Sequence, residues 1–160
     1  MHKNITSLIF SLSLVFLIIG VFYNISQVDI NNLGSKYKEE IKINENKFLV
    51  EKAEGREKTS LGLSGIKSMC NECGMLFIFE EESNYAFWMK DMNYDLDIIF
   101  IDNNKKIVNI FSNVKKEGYN KVEPNKSEKI RNTEKAKYVL ELNAGVTESK
   151  NIKAGDVITF

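Results

Sequence analysis

Two apolar runs, Leu96–Ile101 and Lys106–Phe111, are separated only by Asp102-Asn103-Asn104-Lys105. That spacing commits the middle of the chain to strands about a tight turn, because Asn and Asp tolerate the positive φ such turns demand. Other stretches follow the same habit. Met75–Phe79 is a short continuous apolar run and Tyr85–Met89 is rich in aromatics. Ile41–Ile43 and Phe48–Ala53 read as a strand pair around Asn44-Glu45-Asn46, Tyr138–Leu142 alternates its faces, and Asp156–Phe160 follows a Lys153-Ala154-Gly155 turn. Glu54–Leu63 predicts a short helix ending near Gly62 or Gly65, and Val146–Ile152 one or two helical turns. Lys115–Lys135, polar and containing Gly118 and Pro124, reads as a long loop. The expected fold is therefore mostly β with a minor α part. It is a compact barrel- or sandwich-like single domain with one or two short helices.

The N-terminus follows a different rule. No charged side chain lies between Lys3 and Asp29, and Ile5–Tyr23 is almost wholly apolar. As a helix this run would rise about 28 Å, close to the thickness of a bilayer core. Lys3 before it favours a cytoplasmic N-terminus and an exported remainder. A cleaved signal would want a shorter apolar region and small residues at its end, and this run closes on Val21-Phe22-Tyr23-Asn24-Ile25. The expected organisation is a signal-anchor transmembrane helix over residues 1–25, a polar linker over 26–40 and a β-rich domain over 41–160. The expected location is a single-pass place in the cell membrane with the domain outside the cytoplasm, or secretion if the segment is cleaved.

Charge and residue types exclude several functions. The 22 basic and 22 acidic residues cancel, which speaks against a nucleic-acid partner, since such a binder carries a basic surplus. The single histidine is His2, ahead of the apolar run, so no Ser-His or Cys-His nucleophile can form in the domain. Cys70 and Cys73 make a C-x2-C with no second pair of ligands for zinc. A local disulfide or idle thiols are the leading reading in an exported domain, with metal- or partner-linked and redox-active cysteines as alternatives. Gly62 and Gly65 lack the spacing of a phosphate loop, and Asn125-Lys126-Ser127 matches a glycosylation sequon. No cofactor and no metal are expected.

Strand periodicity singles out a few polar residues. On a strand over Tyr85–Met89, Trp88 and Lys90 would share a face. Asp97 shares one with Ile99 and Ile101, and Glu141 shares one with Val139. An unpaired buried carboxylate is costly, so Asp97 and Glu141 must be paired or reach a pocket, with Lys90 as one partner. Trp88, Lys90, Asp97 and Glu141 could thus form a polar-aromatic pocket. Asp91 and Asp95 straddle Met92-Asn93-Tyr94 and read as solvated turn residues rather than a catalytic or metal pair.

LGLSGIKSM (61–69), CGMLFIF (73–79), FWMKDMNYDLDIIFID (87–102), KKIVNI (105–110), AKYVLELNAG (136–145) and IKAGDVITF (152–160) occur in this order. In that order they resemble the domain-of-unknown-function 192 family from about Phe48 to Phe160. The resemblance implies a small prokaryotic β-rich domain, often exported or anchored, with no established reaction. It places the family's polar signature on Trp88, Lys90, Asp91, Asp97 and Glu141. Two departures stand out: Ile66 (Lys67 follows) where the family usually has arginine, and Asp95 where it usually has proline. Three readings follow. One is an anchored binding or accessory module for an envelope component, oligosaccharide or protein. A second is a hydrolase using Asp97 and Glu141 as its acid/base pair, with the catalytic residues otherwise unknown. The third is a structural partner protein.

Overall fold

The computed structural model describes residues 36–118 and 129–160. The expected transmembrane segment lies outside them, and no helix among the described residues is long and apolar enough to cross a membrane.

Strands β1 (Glu39–Ile43) and β2 (Asn46–Glu54) form the first antiparallel pair, turning where Asn44 takes φ +54°. The short helix α1 (Gly55–Leu61) then carries the chain over to β3 (Cys73–Ser83), which runs parallel to β2. A parallel neighbour cannot be reached by a tight turn, so this crossover is what α1 is for. The helix stops at Gly62, whose φ of +52° favours glycine. A side-chain carbon there would stand 3.2 Å from the Phe77 ring.

The remaining strands are β4 (Ala86–Phe87), β5 (Leu96–Ile101), β6 (Ile107–Val114), β7 (Ile130–Arg131), β8 (Ala136–Asn143) and β9 (Ile158–Thr159). A 3-10 turn spans Lys116–Gly118, and helix α2 spans Val146–Ser149. Seven strands form one sheet in the order β6-β5-β8-β3-β2-β1-β9, while β4 and β7 pair separately. The large sheet curls into a half-barrel whose edges meet at one end. There β9 pairs with β1, and backbone bonds join Ile107 N–H to Asp156 O and Gly155 N–H to Ile107 O, each 2.8 Å.

Curling gives the sheet an inner and an outer apolar layer. Ile41, Ile43, Phe48, Val50, Leu76, Ile99, Ile101, Leu140, Leu142 and Ile158 pack inside. Met75, Phe77, Leu96, Ile98, Phe100 and Val139 face outward and are covered by Leu63, Met89 and Ile130. The alternation expected for Leu96–Ile101 and Tyr138–Leu142 is the one observed.

Several expectations need correction. The strand expected over Tyr85–Met89 is paired only at Ala86–Phe87. Phe87 turns its ring edge-on to Phe77 at 5.0 Å and to Phe100 at 5.8 Å, and Met89 is buried. The chain therefore folds down over the outer layer instead of running on, and Trp88 and Lys90 lie beyond the strand. The loop expected over Lys115–Lys135 contains β7, and the closing strand is shorter than Asp156–Phe160. At the other end, β1 starts at Glu39, and Tyr37 is already buried, both within the expected linker.

Candidate binding site

The two signature acids leave the sheet on opposite faces. Asp97 lies opposite Leu142 in the β5–β8 ladder, and Glu141 lies opposite Ile98. With a side-chain period of two, Asp97 points with Ile99 and Ile101 toward the inner layer, and Glu141 points with Val139 toward the outer one. The expected Asp97/Glu141 acid/base pair is not assembled, because one sheet thickness of backbone separates the two carboxyls.

Asp97 is fully buried and fully answered. Its carboxylate accepts from the backbone N–H of Asn113 (2.8 Å), Gly145 (3.1 Å) and Thr147 (2.8 Å), and from the Thr147 hydroxyl (2.7 Å). Two local features aim these donors. The β5–β6 register shifts between Leu96 and Ile98, and Asn113 adopts φ +54°, so its N–H leaves the ladder and turns to Asp97. Gly145 begins α2 at φ +83° with no side chain to cap it, and Asp97 reaches across from β5 to supply the missing acceptor. Asp97 is a fold-fixing residue that binds strand, bulge and helix together. The expected ion pair with Lys90 is absent.

Glu141 stands in the contrary state. It sits in a cross-strand row between Met75 and Ile98 and is 5% exposed. No described residue gives its carboxyl a hydrogen bond or an ion pair. Burial pushes its pKa up to about 8, so at neutral pH it is largely a neutral acid. It forms the floor of a narrow pocket of about 30 Å³. Phe77, Phe87, Trp88, Met92, Leu61 and Leu63 supply apolar walls, and the 59–64 segment forms one lip. Nearby, the Tyr94 hydroxyl is buried with no hydrogen-bond partner among the described residues. Its pKa is raised well above the ordinary tyrosine value, first by burial and then by Tyr37 and Glu141.

The lips of this slot are laced together. Ser64 Oγ donates to the Lys90 carbonyl at 2.9 Å, Gly65 N–H to the Asp91 carbonyl at 2.9 Å, and Asn93 Nδ2 to the Ile66 carbonyl at 3.0 Å. Lys90 and Asp91 thus act here through their backbone oxygens. Their side chains are exposed, and Asp91 takes the turn with φ +54°. The Lys90 ammonium lies 5.9 Å from the centroid of the Trp88 ring. Trp88 itself is 46% exposed at the mouth, beside Leu61 at 63%. Of the expected pocket residues, Trp88 and Glu141 share the slot, Lys90 and Asp91 frame it, and Asp97 lies elsewhere.

Cys70 and Cys73 are joined as a disulfide, with Cα atoms 5.0 Å apart. Asn143 Nδ2 donates to the Cys70 carbonyl at 2.9 Å, fixing this turn to β8 two residues past Glu141. Asp95, at the departed proline position, accepts from Lys115 Nζ (2.8 Å) and Lys116 N–H (3.0 Å). Those bonds hold its carboxyl below the usual range. Asn143, Ser64, Tyr94 and Thr147 were not singled out from sequence. Asn143 alone left a signal, since strand period puts it on Glu141's face. Among the described residues, no group of three or more His, Cys, Asp or Glu side chains is placed to hold a metal ion.

Half-barrel and slot together define a small, mostly β domain with an acid-floored pocket on its outer face. The chain belongs to the DUF192 family, described as an uncharacterized ACR, which it matches over residues 39–160. Its fold is similar to a crystal structure of a protein of unknown function from Novosphingobium aromaticivorans. The TM-score is 0.67 at 24% identity, over 76% of this chain and 84% of that one. It is also similar to a protein from Sinorhizobium meliloti described as a "putative transcription regulator". There the TM-score is 0.67 at 28% identity, over 78% of this chain and 95% of that one. No curated protein matches it.

The two acids predict opposite behaviour. Asp97→Asn turns an amide toward donors that need acceptors, and should lower unfolding stability by roughly 3 kcal/mol in urea titration. A loss under about 1 kcal/mol would contradict its role. For Glu141 the folded pKa lies above the ordinary 4.5, so the folded state holds a proton that the unfolded chain releases. Its contribution is complete below about pH 4.5 and is lost as pH rises through 8, on the order of 5 kcal/mol across the window. Stability should therefore fall over that range, and Glu141→Gln should flatten the profile and be the more stable protein at pH 8.

Proposed function

We propose that this β-domain is a binding module whose recognition site is the slot between Trp88 and Glu141. One observation carries the reading: a carboxyl nine-tenths buried, without a hydrogen-bond or ion-pair partner among the described residues, at the floor of a pocket whose mouth exposes an indole. Left empty, such a group costs folding free energy, and a ligand that hydrogen-bonds to it recovers that cost. The slot is small, so it takes the tip of a ligand while Trp88 and Leu61 carry the body. An oligosaccharide or another envelope component suits the stacking surface of the indole. Hydrolysis by an Asp97/Glu141 pair is not retained, because the two carboxyls cannot reach one substrate. The description of the Sinorhizobium neighbour as a regulator gains no support here from charge, since acidic and basic residues balance.

We further propose that the domain is held at the outer side of the cell membrane by residues 1–25. The apolar run Ile5–Tyr23 supports this, as does the Cys70–Cys73 disulfide, which suits an oxidising compartment.

Trp88 is the only tryptophan, so its emission reports on the site directly. Titration with methyl glucoside, N-acetylglucosamine and small neutral or charged alkyl fragments should shift that emission for at least one class. Glu141→Gln should weaken the response at least several-fold. If no fragment moves the emission, the binding reading fails. For location, the full chain should stay with membranes through carbonate extraction, its domain open to protease added from outside. Recovery in the soluble fraction would refute the anchor.

A further inference from the structure

We propose that the slot receives an aliphatic primary ammonium, with Glu141 as its counter-ion and the surrounding rings as its cage. This rests on the binding reading above and names the ligand class.

Three features of the site converge. The first is charge. Glu141 is the acidic group on the slot floor, and no Lys or Arg among the described residues forms an ion pair with it, so a ligand cation there would meet no competing partner from those residues. Ile66, which stands where the family resemblance expects arginine, packs as an apolar side chain on the same outer layer. The second is the walls. Phe77, Phe87 and Trp88 offer ring surfaces and Met92 a polarizable thioether. Rings around a cation with a carboxylate at its end are the recognised chemistry for holding ammonium groups. The Lys90 ammonium lying 5.9 Å from the Trp88 centroid shows that the indole is already placed to attract a cation. The third is size and outline. About 30 Å³ admits one small polar head and no sugar ring. At the mouth, Leu61 and Trp88 are two of the most exposed large apolar side chains of the domain. They suit a short alkyl stem.

The groups facing the acid set its pH behaviour. Tyr94 comes from the segment before β5, Glu51 lies across Met75 in the same row on β2, and Tyr37 lies beside Tyr94. Lys90 and Asp91 stand at the rim. None of the carboxyls or phenols can supply a positive charge, so ammonium binding must ionise Glu141 and release its proton. The amine stays charged to about pH 10. Affinity should then rise about ten-fold per pH unit from pH 6 toward pH 8 and flatten above.

The test follows Trp88 emission of the full chain with n-butylammonium, with Nα-acetyl-lysine N-methylamide, and with n-butanol and methyl glucoside as neutral controls. Both amines should bind, n-butanol at least ten-fold more weakly, with the stated pH slope and a ten-fold or greater loss in Glu141→Gln. Tighter binding of the lysine derivative would identify a lysyl side chain as the source, and equal binding a free amine. A flat pH profile in the native protein overturns the proposal without any variant. So does n-butanol binding as well as the amine. If methyl glucoside binds and depends on Glu141, the slot remains a binding site and only the ammonium assignment falls. If no probe responds, both readings fall together.

Discussion

A carboxyl sealed against a β-sheet must find donors, find a cation or keep its proton, and this domain is arranged around two acids that meet that demand differently. Asp97 has donors from two separate pieces of chain: the bulge in β6, and the left-handed start of α2 with the Thr147 N–H and hydroxyl. The price of desolvating it is offset on site, and the bonds fix how α2 and β6 meet β5. Glu141, one position along the neighbouring strand, receives no hydrogen bond from the described residues and remains largely protonated at neutral pH. The same physics yields a structural post on the inner face and a poised group on the outer one.

The outer layer accounts for the difference. It is closed mostly by irregular chain, the loop after α1 and the Trp88–Tyr94 segment, with only the small two-stranded β4–β7 sheet beside them. Irregular chain brings backbone groups that need partners of their own, and the bonds from Ser64, Gly65 and Asn93 meet that need between the two lips. Those bonds draw the loop to the Trp88 segment without filling the space under it. The disulfide and Asn143 hold the far side of the same loop. The slot persists because its walls are tied to each other rather than to its floor.

Strand content, the short helices and the facing of Asp97 and Glu141 were legible in sequence, because period two in Leu96–Ile101 and Tyr138–Leu142 is unambiguous. The pairing of these acids was not. Proximity in a motif says nothing about which side of a sheet a residue serves, and Asp97's true partners are mainly backbone groups of Asn113, Gly145 and Thr147, which carry no side-chain signal. The segment after Phe87 misled for a related reason. Its aromatic run suited a strand by composition, yet ring packing on Phe77 and Phe100 ended the ladder early. Asp95 shows a third limit. Where the family resemblance expects the stiffness of proline, this chain uses hydrogen bonds to Lys115 and Lys116, a substitution of mechanism that only coordinates can display.

The strand order has a consequence for how the domain comes into being. β8 lies between β5 and β3 in the sheet, although it follows both in the chain. Before it is placed, β1–β3 and the β5–β6 hairpin share no ladder. Each half can form early from neighbouring sequence, but their union waits on long-range closure, the slow kind of contact. The strand that makes one sheet of two is the strand that bears Glu141. The unsatisfied acid therefore enters at the step where assembly is decided. In a more acidic compartment, where that acid keeps its proton in the unfolded chain as well, the final joining would proceed more readily.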